Sequence, residues 1–171
     1  MRFEVPETVE SPRLVLRMLR DGDWRALHGY YSDEQCIRYT LGRVLTEGES
    51  WRTLAAMVGH WHLRGYGPYA IESKANGELL GVSGLWYPYD FPEREIKWGL
   101  LRCHWGQGYA SEAARAVLAM ARAAYPASPP ISFIHASNDA SIRVAAALGA
   151  ALERETEFRG ASYRVYRHRY A

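Results

Sequence analysis

The sequence predicts a mixed α+β domain, an α/β arrangement of three layers in which helices flank a sheet. Two observations predict it. Apolar residues recur at helical spacing between positions 46 and 64, and then alternate as in strands between 69 and 101. A further helical segment over 109–124 follows those strands and ends before Pro126. With 171 residues, of which 48% are hydrophobic, the chain is expected to form one domain over 1–171.

Alternation and capping patterns place the elements of the first half. Apolar and charged residues alternate over 13–19, which predicts the first strand, and the turn Asp21-Gly22-Asp23 precedes a helix over about 24–32. Thr46 and Glu49 have the spacing of a capping box, in which each side chain bonds the other residue's main-chain N–H. The second helix is therefore expected to begin there.

A hairpin is predicted around Asn76-Gly77, between strands over 69–73 and 78–86, because this dipeptide supplies the positive backbone dihedrals of a tight reversal. The remaining elements are expected in this order: a strand over 95–101, a helix over 109–124, a strand over 131–135, a helix over 139–148 and two final strands near 151–157 and 162–169.

Charge and cysteine content exclude several classes of protein. Lys and Arg total 21 against 19 for Asp and Glu, so neither nucleic acid nor a membrane is an expected partner. Cys36 and Cys103 lie too far apart for a disulfide framework, and His60 and His62 point to different faces of a helix, so no metal is expected. The N-terminal residues lack an apolar signal segment, which favours a cytoplasmic protein.

The segment that carries chemistry runs from the strand over 95–101 through Trp105-Gly106-Gln107-Gly108 into a helix. Glycines before a helix let main-chain N–H groups approach an anion, and the helix dipole adds its positive end, so the geometry suits a pyrophosphate. For a lone Gly-x-Gly, a tight strand-to-helix turn is the favoured explanation, so the surrounding sequence has to supply the evidence for an anion site. The spacing matches neither the P-loop, whose Lys is missing, nor the dinucleotide fingerprint, which needs a third glycine.

Three motifs follow one another along the chain: the strand segment over 11–17, the loop Trp105-Gly106-Gln107-Gly108-Tyr109-Ala110, and Asn138-Asp139-Ala140-Ser141 at the start of a helix. Together they resemble the GCN5-related N-acetyltransferase (GNAT) superfamily, in its branch of ribosomal-protein N-terminal acetyltransferases (RimJ/RimL type). The first motif is similar to the first strand of this branch, the second to the family's acyl-CoA loop, and the third to the Asn-x-x-Ser helix of the branch.

The resemblance implies a mixed, mostly antiparallel twisted sheet whose fourth and fifth strands splay apart. Unpaired main-chain groups in that splay would bind the pantetheine arm of acetyl-CoA, the co-substrate. The residues implied in acetyl-CoA binding are Leu100, Leu101, Arg102, Gly106, Gln107, Gly108, Tyr109, Ala110, Ser111, Asn138 and Ser141. Asn138 is also a preferred helix N-cap, and the two roles compete for its side chain.

Acetyl transfer needs a neutral amine, so a carboxylate must take a proton from an amine whose pKa is about 10. The resemblance places Glu95 in that role, and the alternative is a solvated strand carboxylate paired with Arg94 or Lys97. The oxyanion is expected to meet a main-chain N–H near Leu101. Many relatives place a Tyr acid where this chain has Ala145, which leaves Ser141, another Tyr or water.

Aromatic residues dominate the regions that wall the acceptor cleft in the resembled family. Trp61, Trp86 and Tyr87 are expected to contact the substrate, with Asp90 as a counter-charge. Core packing is the competing interpretation, favoured for Trp51, Trp61 and Trp98.

The expected function is transfer of acetyl from acetyl-CoA to a primary amine, either a protein or peptide N-terminus or a small molecule. Direct transfer in a ternary complex is expected, because neither cysteine has a recognisable catalytic partner. The expected protein is a monomer or a homodimer. The missing Tyr at 145 motivates the alternative of a CoA-binding or peptide-binding module without catalysis, and tail arginines such as Arg164 motivate a weaker nucleic-acid alternative.

Overall fold

The computed structural model describes residues 3–170, which form one eight-stranded sheet in the order β1-β2-β3-β4-β5-β6-β8-β7. Its strands are β1 (Thr8–Glu10), β2 (Leu14–Met18), β3 (Pro68–Ser73), β4 (Leu79–Trp86), β5 (Glu95–Leu100), β6 (Ile131–His135), β7 (Ala151–Phe158) and β8 (Ala161–Arg167). Its helices are α1 (Trp24–Tyr31), α2 (Glu34–Ile37), α3 (Glu47–Arg64), α4 (Tyr109–Ala124) and α5 (Asp139–Ala147).

Two core clusters cover the two faces of the sheet and make three layers. Side chains alternate along β3, so Tyr69 and Ile71 pack in the cluster that includes α4, whereas Ala70 packs in the cluster of α1, α2 and α3. The sheet is antiparallel except where β5 pairs with β6. The predicted fold class is confirmed.

The predicted capping box starts α3. The Glu49 N–H donates to Thr46 Oγ1 at 3.3 Å, and the Thr46 N–H donates to Glu49 Oε2 at 2.9 Å. Gly65, with φ of 76°, ends the helix in the left-handed conformation that glycine adopts without a steric penalty. Local chemistry therefore sets both ends of the longest helix in the described chain.

The structure differs from the prediction at three places. β1 and α2 were not predicted, because three and four residues are too few to show a period. The β3–β4 turn has five residues, 74–78, and within it only Gly77 has a positive φ. Its N–H donates to Ser73 O at 2.8 Å, while the Asn76 side chain accepts from the Glu78 N–H. Asn76 thus acts through its side chain rather than through a positive dihedral.

The splay expected between the fourth and fifth strands lies between β5 and β6. The strand numbers differ because the unpredicted strand β1 raises each later number by one. These strands share a single register pair, Glu95 with Ile131, and the Ile131 N–H donates to Arg94 O at 3.1 Å. On its other side β6 pairs with β8 along its whole length. Within residues 3–170, no helix combines the length and apolar character needed to cross a membrane.

Close strand packing at Gly84 of β4 gives a test of this fold. A Cβ at Gly84 would lie 2.4 Å from Gly67 O, so Gly84→Ala should destabilise the protein by roughly 1–3 kcal/mol through overpacking. Gly59 of α3 has no atom within 4 Å of its would-be Cβ, so Gly59→Ala should be neutral or stabilising by about 0.5–1 kcal/mol. Urea unfolding of both variants measures the contrast, and equal midpoints would contradict the strand packing.

Candidate active site

The glycine loop turns the chain from β5 into α4. Gly106 and Gly108 have φ of 74° and 79°, a conformation in which a side chain would be strained, and α4 begins at the next residue, Tyr109. No side chain caps this helix start. The main-chain N–H groups of its first turn, which have no partner within the helix, are therefore directed at the loop surface.

Arg13 fastens the loop to the start of β2. Its Nη1 donates to Gln107 O at 3.0 Å, its Nε pairs with Glu112 at 2.6 Å, and its guanidinium lies 4.3 Å from the centre of the Tyr109 ring. Burial opposes the charge of Glu112, yet hydrogen bonds from Ser11 and Arg13 outweigh it and lower the pKa of this carboxyl. Sequence reasoning missed this pair, because the partners lie 99 residues apart.

Main-chain groups of β5 line the splay. The Leu101 N–H donates to Leu80 O at 2.9 Å, on the β4 side, and Ser132 of β6 donates to Ile96 O at 3.4 Å on the opposite side. Because successive residues of a strand face opposite neighbours, the main chain of Trp98 and Leu100 faces the opening. The Leu101 N–H is thus already bonded within the sheet, and among the N–H groups near Leu101 the one that faces the opening is that of Leu100.

Two side chains contact the Leu100 carbonyl oxygen, near the end of this β5 edge. Trp105 Nε1 donates to Leu100 O at 3.0 Å, and Cys36 Sγ lies 3.7 Å from the same oxygen. Trp105, the first residue of the loop motif, therefore fixes the loop against β5. Next to it, Arg102 pairs with Asp33 at 2.7 Å, so its guanidinium is directed toward α2.

Glu95 lies at the point where β5 and β6 part. Its side chain is buried, and Oε2 accepts the Phe133 N–H at 3.1 Å. Phe133 N–H faces β5 but meets no strand partner there, because the ladder ends at Ile131. Burial raises the pKa of Glu95 to about 8, although the Phe133 hydrogen bond and the charge of Lys97 act in the opposite direction. The alternative of a solvated carboxylate is wrong.

Lys97 and Trp86 extend the floor of the site. Lys97 lies two residues beyond Glu95 on the same face of β5, and its Nζ lies 4.8 Å from the centre of the Trp86 ring.

His60 stacks on the Trp86 ring with centroids 4.5 Å apart. The His60 Nε2 accepts the Tyr87 N–H, so its Nδ1–H donates to Tyr66 O. Burial lowers the pKa of His60, which favours this neutral form.

A cavity of about 560 Å³ is lined by Trp86, Glu95 and Lys97, whereas the glycine loop lies outside its lining. One wall is a face of α3, with residues at positions 49, 52, 53, 56 and 57. The opposite side is aromatic and contains Tyr39, Phe91, Phe133, Phe158 and Tyr163. Glu95, Lys97, Asn138 and Ser141 all line this one cavity. Within residues 3–170 no cluster of three or more His, Cys, Asp or Glu residues could hold a metal ion.

Asn138 and Ser141 meet at the start of α5. Asn138 Oδ1 accepts the Ser141 N–H at 3.2 Å, so Asn138 is the helix N-cap. Ser141 Oγ accepts a hydrogen bond from Trp98 Nε1 at 3.3 Å, which ties α5 to β5 across the splay. Ala145, where many relatives would have Tyr, is fully buried in a cluster with Ile134 and Tyr166.

The predicted substrate contacts are partly wrong. Trp86 lines the cavity, but Trp61 has no exposed surface and donates from Nε1 to Pro68 O, so it is a core residue. Tyr87 lies outside the cavity lining, with its ring against Arg64. Asp90 is paired with Arg159, which does line the cavity.

Two of the tryptophans expected in the core have different environments from each other. Trp51 is 46% exposed, and its Nε1 donates to Asp21, so this prediction is wrong. Trp98 packs against the core as expected and also lines the cavity.

A family model for the acetyltransferase (GNAT) domain matches residues 13–151. The chain belongs to the GNAT acetyltransferase family. The resemblance seen in the sequence is thereby confirmed.

Individual proteins and solved structures are similar to this chain over most of its length. The Bacillus subtilis protein YkkB is 33% identical over 81% of this chain and 82% of its own length. An acetyltransferase structure from Agrobacterium tumefaciens superimposes with a TM-score of 0.86 at 28% identity, covering 99% of this chain and 98% of that one. The fold is shared with RimL, the ribosomal L7/L12 alpha-N-protein acetyltransferase, solved with CoA: TM-score 0.77, 22% identity, 95% and 97% coverage.

The raised pKa of Glu95 makes the stability of this GNAT protein depend on pH. Between its ordinary pKa of 4.5 and the folded value of about 8, the folded state holds a proton that the unfolded state releases. Stability is therefore lost as pH rises through this window, by at most about 1.4 kcal/mol per pH unit. Glu95→Gln removes this titrating group. The free energy of unfolding of the variant minus that of the wild type should therefore increase from about pH 5 to about pH 8.

Urea unfolding at several pH values measures this difference. Glu157→Gln on the exposed strand β7 controls for the loss of one negative charge. A difference between Glu95→Gln and wild type that stays constant over the window would contradict a protonated Glu95 in the folded protein.

Proposed function

We propose that the protein transfers the acetyl group of acetyl-CoA directly to a primary amine, with both substrates bound together. The observation that carries the proposal is the position of Glu95. A buried carboxylate lies at the apex of an opening between two strands, in the same cavity as unpaired main-chain groups of β5. An acceptor amine above that carboxylate would face a thioester held in the opening.

The proposed acetyl-CoA site follows the glycine loop and the edge of β5. Gly106, Gln107 and Gly108, with the amides of Tyr109, Ala110 and Ser111, would hold the pyrophosphate at the start of α4. The pantetheine arm would bond the main chain of Trp98 and Leu100, with Leu101 and Arg102 continuing the wall. Asn138 contributes through its amide nitrogen, because its Oδ1 is engaged in capping.

Glu95 is the proposed general base. An ammonium group near this carboxyl would favour its charged form. The carboxylate takes one proton from the ammonium, and the neutral amine then attacks the thioester. The second N–H proton leaves as the C–S bond breaks and passes through the Ser141 hydroxyl to the thiolate. A pKa of about 8 without ligands lies close enough to neutrality for this exchange. The Leu100 amide is the proposed oxyanion donor, in place of Leu101.

The leaving thiolate needs less assistance, because a thiol has a pKa of about 8.5. Ser141 is the proposed proton donor, since its hydroxyl lies beside Trp98 at the edge of the splay. No cysteine intermediate is proposed. Cys36 is buried, which raises the pKa of its thiol to about 11 and makes it a poor nucleophile.

The acceptor is a small-molecule amine or a protein N-terminus. RimL is described as an alpha-N-protein acetyltransferase of ribosomal L7/L12, but its 22% identity carries only the fold. The second candidate, a module that binds CoA or a peptide without turnover, is favoured by Ala145. Release of CoA across a broad amine panel separates the two functions, and its complete absence would favour the binding module.

Replacing Glu95 tests the catalytic proposal. Glu95→Gln should lower kcat by roughly a hundredfold or more while leaving the acetyl-CoA Kd nearly unchanged, the scale typical of a general base. The loss should shrink as pH rises and free amine becomes abundant. Turnover at the wild-type rate between about pH 6 and pH 9 in a folded variant would show that the base is another group.

Replacing Gly108 tests the acetyl-CoA site independently. Gly108→Val forces a β-branched residue into a φ of 79°, and its side chain would cover the anion site. We expect the Kd for acetyl-CoA to rise by roughly tenfold or more, measured by calorimetry. Gly160→Val, at a φ of 75° in the β7–β8 turn, is the matched control for backbone strain. An equal effect in both variants would contradict a loop-specific role.

A further inference from the structure

Lys97 is an unusual residue for this chain. Of its 21 basic residues only two are lysines, Lys74 in a turn and Lys97 in the central strand β5. Glu95 and Lys97 are two residues apart, so their side chains leave the same face of the strand, and both line the cavity. A carboxyl group and an amino group thus lie side by side on the cavity floor.

The ammonium of Lys97 lacks a close anionic partner. Among residues 3–170 no carboxylate oxygen lies within 4 Å of it, and its Nζ lies 4.8 Å from the centre of the Trp86 ring. Glu95 is itself held by the Phe133 N–H. Burial lowers the pKa of Lys97, and the nearby Glu95 charge opposes this shift. An incoming anion would therefore stabilise the ammonium.

We propose that Glu95 and Lys97 together bind the two charged groups of an α-amino acid. The substrate amine meets Glu95, and its carboxylate pairs with Lys97. This inference rests on the proposed acetyl transfer and specifies its acceptor. The Cα atoms of residues i and i+2 in a strand are about 7 Å apart. One tetrahedral carbon joins the amine and carboxylate of an α-amino acid, so both groups reach the adjacent side chains at once.

The aromatic wall defines the rest of the substrate. Phe91, Phe133 and Phe158 pack edge to face with centroids 5.1 to 5.5 Å apart, and Tyr163 continues the wall. Such a surface accepts an apolar or aromatic side chain. A peptide N-terminus is disfavoured, because its neutral amide in place of the carboxylate leaves the Lys97 ammonium desolvated and unpaired.

The other cations of the cavity are less suited to this role. Arg43 pairs with Glu49 at 2.7 Å, and Arg159 pairs with Asp90. Arg52 has no carboxylate within 4 Å in the described chain, but it lies on the α3 wall rather than on β5. It is therefore the competing carboxylate partner, and it provides a separate arm of the test.

The experiment compares kcat/KM for phenylalanine, its carboxamide and 2-phenylethylamine, read by CoA release. The wild type should prefer phenylalanine over the amide by roughly tenfold or more, since a buried cation discriminates against a missing anion. The amide has the less basic amine, so amine reactivity alone would favour the amide. Lys97→Met should bring the ratio near one. Lys74→Met, which removes an exposed lysine paired with Glu10, should keep it.

Each other outcome contradicts a specific statement. Equal use of acid and amide by the wild type, or a preference that survives in Lys97→Met, would overturn the inference. Loss of the preference in Arg52→Met but not in Lys97→Met would assign the carboxylate to α3 and overturn it as well. Lys97→Gln replaces Lys97→Met if the latter does not fold. Acetylation of phenylethylamine without preference leaves the proposed function standing, whereas no CoA release from any amine contradicts both.

Discussion

The structure depends on one interruption in the sheet. Hydrogen bonding between β5 and β6 ends after a single register pair, and the two strands then part. Parallel strands need a crossover, and here α4 provides it, packing on β4 and β5. The crossover starts where β5 ends, so the N-terminus of α4 and the glycine loop must lie at the same edge as the opening. The backbone groups left by the divergence cannot stay buried without partners. One topological feature thus places the unpaired edge of β5 and the N-terminus of α4 at the same end of the sheet.

Glu95 shows how the fold uses that divergence. Had the strands stayed paired, a β5 main-chain carbonyl would accept the Phe133 N–H, and no side chain would be needed there. Instead the carboxylate accepts it, which places a buried acid between the two strands. Burial costs the anion more than one hydrogen bond returns, and the raised pKa is the result. The same geometry that completes the sheet therefore prepares a group able to exchange a proton.

Local signals predicted much of the fold and only part of the site. The Thr46–Glu49 capping box and the glycine loop are short-range chemistry, and both appear as expected. The pairing of Arg13 with Glu112 joins residues that no periodicity connects. For Trp61 the sequence favoured the core but left the cleft open, because a helical aromatic residue has the same spacing in either place, and the structure places it in the core. Whether the Leu101 N–H faces β4 or the opening depends on strand register, which one sequence does not specify. By contrast, strand alternation alone already places Lys97 beside Glu95.

The cavity has two parts, a floor and a rim, which are held in place by different elements of the fold. Its floor lies on β5, a central strand bonded to β4 over six register pairs, so Glu95 and Lys97 are held by the sheet itself. Its rim comes from separate segments: α3, the loop after β4 and the β7–β8 turn. Arg159 joins two of them, bonding Asp90 from a left-handed backbone with φ of 49° that a non-glycine residue adopts at some cost. Under the proposed function, changes at the rim would alter which side chain the substrate can carry, whereas changes on the floor would alter whether the amine is positioned to react. Recognition of the amine and its neighbouring group would then belong to the sheet, and recognition of the remainder would belong to the rim.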